Sequence, residues 1–104
     1  MNQAKFSMGG EAMARSHHES DNEYRSIIAI LNSHWRVIAC KDDIQWIIQK
    51  SEKTSRGLLW RSWSYHRTNQ SLKRVLCSLK IEISPIASKI IDKLPMWIEQ
   101  GRAK

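Results

Sequence analysis

The sequence predicts an α+β fold: a three-stranded antiparallel meander with a preceding helix and two following helices packed on one face. Three observations predict it. Apolar residues recur at helical spacing before residue 33, switch to a period of two over Trp35–Cys40 and Ile44–Gln49, and return to helical spacing after Thr68. A chain of 104 residues holds one domain at most. The boundaries read as a flexible tail over 1–20, a domain over 21–95 and a second tail over 96–104.

Residues 1–20 carry Gly9, Gly10, scattered serines and no apolar period, which is the composition of a tail. Ser20 followed three residues later by Glu23 fits a capping box, and Tyr24, Ile27, Ile28 and Leu31 then fall on one helical face. From Trp35 the period is two. A two-residue turn at Asp42-Asp43 sets Lys41 opposite Ile44, Ala39 opposite Trp46 and Val37 opposite Ile48. That register gathers Trp35, Val37, Ala39, Ile44, Trp46 and Ile48 on one face, leaving Arg36, Ile38, Cys40, Gln45, Ile47 and Gln49 on the other. Ser51–Gly57 reads as a polar, basic loop, and Leu58 to about His66 as the third strand. Thr68 caps a helix over 69–80 with Leu72, Val75, Leu76 and Leu79 as its stripe. Ser84-Pro85 starts the last helix, whose stripe is Ile86, Ile90 and Leu94, with Ala87 and Ile91 at the margin; Pro95 stops it.

Charge is the strongest functional signal. From His34 to Lys80 there are ten Lys or Arg against three acids, so this stretch holds the whole formal charge of +7. Four of the five tryptophans lie there too. A cationic, aromatic-bearing surface suits a polyanion, and nucleic acid is the commonest one. In the third strand the even positions (Leu58, Trp60, Ser62, Ser64, His66) read as inward, and Leu59, Arg61, Trp63, Tyr65 and Arg67 as outward. The reverse assignment makes Trp63 and Tyr65 core and leaves Arg61 to snorkel. With the outward face go Lys50, Lys53 and Arg56 of the basic loop, Arg36 of the first strand, and Lys73 and Arg74 on the polar side of their helix. These ten, Arg36, Lys50, Lys53, Arg56, Arg61, Trp63, Tyr65, Arg67, Lys73 and Arg74, are the candidate nucleic-acid contacts. The expected function is a small basic module that binds nucleic acid, DNA first, mainly through the phosphate backbone. The alternative is a protein-interaction or accessory module of a mobile element, docking on an acidic partner or dimerising through a sheet edge, and without nucleic-acid affinity.

Catalysis is not expected. His17-His18 are adjacent, His34 and His66 lie at strand ends, and neither Cys40 nor Cys77 belongs to a ligand pair, so no metal or cofactor is expected. Gly-rich phosphate loops, nucleophile elbows and paired carboxylates are lacking, and no small-molecule substrate is inferred. The first thirty residues hold no apolar run of signal-peptide length, and the apolar stretches at Ile27–Leu31 and Ile44–Ile48 are too short to span a bilayer. The expectation is a cytoplasmic protein with reduced thiols and no membrane contact.

In layout, three strands feeding a Thr-capped helix resemble the sheet-reading DNA-binding domains of phage-type integrases and plant ethylene-response factors. The α-β-β-β-α order also resembles double-stranded-RNA-binding domains, but the turn Thr68-Asn69-Gln70-Ser71 lacks their basic cluster. Over residues 34–95 the blocks His34-Trp35-Arg36-Val37-Ile38, Ile44-Gln45-Trp46-Ile47-Ile48-Gln49, Trp60-Arg61-Ser62, Ser64-Tyr65, Arg67-Thr68 and Leu94-Pro95 resemble a group of short proteobacterial proteins of unknown function, some prophage-associated. That likeness implies no activity for any residue. Trp63 and Asp43 depart from it, since the group has a more basic third strand and a glycine in the turn.

Overall fold

Where the sequence reads a first helix, the chain makes a strand. A computed structural model of the protein describes residues 16–98. In them β1 (Ile27–Ile30), β2 (Trp35–Ala39), β3 (Trp46–Thr54) and β4 (Gly57–His66) form a four-stranded antiparallel sheet in the order β1-β2-β3-β4. Two helices follow, α1 (Asn69–Leu79) and α2 (Pro85–Asp92). The class is α+β, but the three-stranded meander with a preceding helix is overturned. Ile27, Ile28 and Ile30 are β-branched and favour a strand. The apparent helical spacing arises because β1 is bulged: Ile27 pairs with Ile38 and Ala29 with Val37, leaving Ile28 as the extra residue. Ser20 and Glu23 form no capping box; their carbonyls accept from the amides of Trp60 (2.9 Å) and Ser16 (3.0 Å).

The β2–β3 register is the expected one, with Ala39 opposite Trp46 and Val37 opposite Ile48. The connection is a four-residue loop, however. Cys40 N–H bonds to Gln45 O at 2.9 Å, Asp43 N–H to Cys40 O at 2.9 Å, and Asp43 takes φ +55°. The segment expected as a loop over 51–57 is instead ladder. β3 runs to Thr54, opposite Gly57, so that only Ser55 and Arg56 make the turn.

Both faces of the sheet are covered. On one, Ala29, Trp35, Val37, Trp46 and Ile48 pack with Leu72 and Leu76 of α1 and Ala87 and Ile91 of α2. Each such Leu or Ile contributes roughly 1.5–3 kcal/mol by leaving water. The other face, with Ile38, Cys40 and Ile47, packs against Tyr24. The non-helical segment 16–26 carries Tyr24 across it. Tyr24 O–H donates to Ala39 O at 2.8 Å, and burial pushes its hydroxyl up to about 12. Residues 16–20, expected as tail, are thus part of the fold; the rest of that tail lies outside the described residues.

Thr68 and Ser84 cap their helices by accepting from Ser71 N–H and Ala87 N–H, each at 3.1 Å. α2 is turned from its expected stripe. Ala87 and Ile91 are buried, while Ile86 is 74% exposed. Asn69 bonds back to Met96 O (2.8 Å) and Leu94 O (3.0 Å), and Trp97 bridges to Thr68, so 94–98 closes onto the start of α1. Among the described residues no helix is long and apolar enough to cross a membrane.

Candidate nucleic-acid interface

The β3–β4 hairpin outruns the rest of the sheet. β2 pairs with β3 only as far as Trp35 opposite Lys50, and Ser51 N–H makes one more bond, to His34 O at 2.8 Å. Beyond that point the two strands pair only with each other, from Glu52–Leu59 to Thr54–Gly57. Gly57 takes φ +117°, a conformation that favours glycine. Thr54 Oγ1 ties the turn by donating to Gly57 O (2.7 Å) and accepting from Arg56 N–H (3.2 Å). Lys53 and Arg56 are exposed on this arm, and Lys50 and Arg61 are exposed at its base. Glu52 is its one acid, and it ion-pairs with Arg61.

A bulge decides where the β4 side chains go. Ile48 lies opposite Ser64 and Gln49 opposite Ser62, so Trp63 is the extra residue. The even positions therefore do not share a face. Trp60 lies against Arg36 on the side of segment 16–26, whereas His66 reaches α1, its Nδ1 2.7 Å from Ser71 Oγ and its Nε2 2.8 Å from Ser64 Oγ. Burial holds His66 below its ordinary pKa. Leu58 and Ser62, expected inward, are exposed. The outward set is split as well. Trp63 turns to the helix side, edge-on to Trp35 with centroids 5.1 Å apart at 75°. Tyr65, opposite Ile47, stays on the other side. Both are more than half exposed, at 54% and 57%. Lys50 Nζ sits 5.5 Å from the Trp35 ring centre and 5.9 Å from that of Trp63, and Arg61 lies opposite Lys50 in the ladder.

Of the ten expected contacts the structure brings Lys50, Arg61 and Trp63 together, with Lys53 and Arg56 further along the arm. Arg36 leaves the surface set. It is 1% exposed, stacked 4.4 Å over Trp60. Its Nε donates to Gln49 Oε1 (2.7 Å), and its other nitrogens donate to the carbonyls of Asp21 (2.8 Å), Glu19 (2.9 Å) and Asn22 (3.3 Å). Burial pulls its pKa down to about 10. Arg67 lies past the far end of β4, beside Ile44 and Trp97. Lys73 is turned to α2, 3.7 Å from Asp92, and Arg74 is exposed on α1. Trp35 reads from the sequence only as core; that Trp63 lies against it follows from the β3–β4 register, which sets Arg61 opposite Lys50 and which no residue pattern in β4 marks.

Among the described residues no group of three His, Cys, Asp or Glu is placed to hold a metal, and Cys40 and Cys77 are free thiols. A hollow of about 300 Å³ between β1 and the 94–98 segment is lined by Ile28, Ala39, Trp46, Leu94 and Ile98, with Ser26 and Asp43 as its polar side chains. Comparison of the chain with protein-family models, with curated proteins and with solved structures finds no match.

Proposed function

We propose that this protein is a small nucleic-acid-binding module that grips the phosphate backbone with its β3–β4 arm. One observation carries the reading: the β3–β4 hairpin outruns the sheet with Lys53 and Arg56 exposed on the free arm and Lys50 and Arg61 exposed at its base, four bases against the one acid Glu52. Such an arm reaches into a groove or along a strand while the three-layered body stays clear. Lys53 and Arg56 near the tip are open to solvent and have no ion pair among the described residues. Binding of this kind is electrostatic and falls steeply with salt.

Anisotropy titrations with labelled single-stranded and duplex DNA test it. The expected dissociation constant at low salt is about 10⁻⁴–10⁻⁶ M or tighter, weakening as salt rises. Lys53→Gln and Arg56→Gln should each flatten the log–log salt slope by about one if each base neutralises one phosphate. Binding absent at low salt, or indifferent to salt, overturns the proposal.

A second reading, self-association through the β1 edge, has its own observation. Ile30 is 60% exposed there, and Ile86 and Ile90 of α2 lie beside it. Edge strands with apolar side chains invite pairing. A salt-insensitive dimer by light scattering, without DNA affinity, would favour this reading.

A further inference from the structure

We infer that the base of the arm takes single-stranded nucleic acid, with one unpaired base stacked on Trp63; the inference rests on the nucleic-acid reading above. Alternation alone would set Trp63 on the opposite side of β4 from Ser64. Arg61 lies opposite Lys50, and Trp63, two residues on, stands on that same side beside Trp35 and Lys50; the bulge after it turns Ser64 and His66 to this side as well and Tyr65 away from it. Bulges re-aim side chains in this way, and they recur beside functional sites.

Once there, the ring is held. Trp35 is only 8% exposed and fixed in the core, and Trp63 abuts it edge to face at 5.1 Å. Trp63 is nonetheless 54% exposed, so a rigid aromatic surface faces water. A ring immobilised in advance loses little conformational freedom when a ligand lands on it. Every base offers a π-face, and stacking on an aromatic side chain contributes roughly 1–3 kcal/mol per base. The bases of a duplex are already stacked on each other and cannot use this surface.

The neighbours fit the same ligand. Lys50 Nζ lies 5.9 Å from the Trp63 ring centre and Arg61 sits across the ladder from Lys50. A nucleotide stacked on Trp63 would therefore have cations beside it for its flanking phosphates. A protein anchor is the other use of an exposed tryptophan, but lysine is depleted at protein interfaces. Here a lysine ammonium stands against the ring.

The test compares an oligothymidylate of about 12 nucleotides with a duplex of equal length, for the whole chain and for Trp63→Leu. Leucine keeps an apolar cover on Trp35 and removes the ring. Expected are tighter binding of the single strand than of the duplex, and a loss of about 5- to 150-fold for the single strand in Trp63→Leu. Duplex affinity and its salt slope should not move. Equal affinity for the two forms, or an indifferent Trp63→Leu, overturns the stacking inference while leaving the phosphate-gripping reading intact. Binding of neither form overturns both, and leaves Trp63 as a protein anchor. If Trp63→Leu fails to fold, Trp63→Phe decides. The single strand must quench tryptophan emission in the native chain, and Trp63→Phe must lose that quenching while keeping most of the affinity. Quenching unchanged in Trp63→Phe overturns the inference.

Discussion

Arg36 sits on β2 with its guanidinium closed in by Gln49, by three backbone carbonyls and by the Trp60 ring. Its side of the strand was legible, because period-two alternation puts it opposite Val37. Its burial was not. The acceptors that satisfy it are mainly main-chain oxygens of residues 19–22, which any sequence supplies and no motif announces. His66 is the complementary case, a strand-end histidine whose neighbours Ser64 and Ser71 were in plain view but whose burial came from the helix laid over it. That burial has a pH signature. Folding holds the imidazole below its ordinary pKa of 6.5. As pH falls, the unfolded chain therefore takes up the proton first. The associated stability is full above about pH 6.5 and drains away as pH drops toward the folded value. Urea midpoints measured from about pH 7 to about pH 5 should fall, and His66→Gln should show a shallower decline.

At the level of elements, the legible parts were those written locally. The caps at Thr68 and Ser84 and the β2–β3 register follow from residues within a few positions of one another. What failed was whatever a neighbour decides. Ile86 and Ile90 are larger apolar residues on α2 than Ala87, yet the helix buries Ala87 and Ile91, in the same cluster as Ala29 of β1, and ends before Leu94. Two alanines let backbone layers approach closely, and that fit outweighs the size of the exposed isoleucines. The two bulges were invisible for the same reason: an extra residue in one strand makes sense only against its partner. The β2–β3 loop offers a direct test. Asp43 sits at φ +55°, where an aspartate is tolerated and a glycine is relaxed. Asp43→Gly should raise stability by up to about 1 kcal/mol, read as a higher urea midpoint at unchanged denaturant slope. A loss of stability would show that the Asp43 side chain contributes more than its backbone strain costs.

For the molecule as a whole, the α+β class and a core beneath the two C-terminal helices were readable, but the fourth strand and a third layer were not. Segment 16–26 has no apolar period, so nothing in it predicts that it lies over a sheet. Arg36, Gln49, Trp60 and Tyr24 hold it there. The clasp is therefore global in effect. Arg36→Met should cost about 3 kcal/mol, because carbonyls of Glu19 and Asp21 and the amide of Gln49 lose their buried partner. Chemical denaturation measures this, and a cost under about 0.5 kcal/mol would show that the segment is held by apolar contact alone. The order of synthesis gives this layer a further consequence. Glu19 leaves the ribosome thirty residues before the Gln49 amide that binds its carbonyl, and Asn22 thirty-eight before the Trp60 indole. The segment is made before the strands that hold it, yet it is among the last pieces that can dock. Until β4 has emerged, the growing chain carries both a loose leading segment and a sheet face with Ile38 and Ile47 uncovered. That interval is when a nascent copy is most open to chaperones and to its neighbours on the same message.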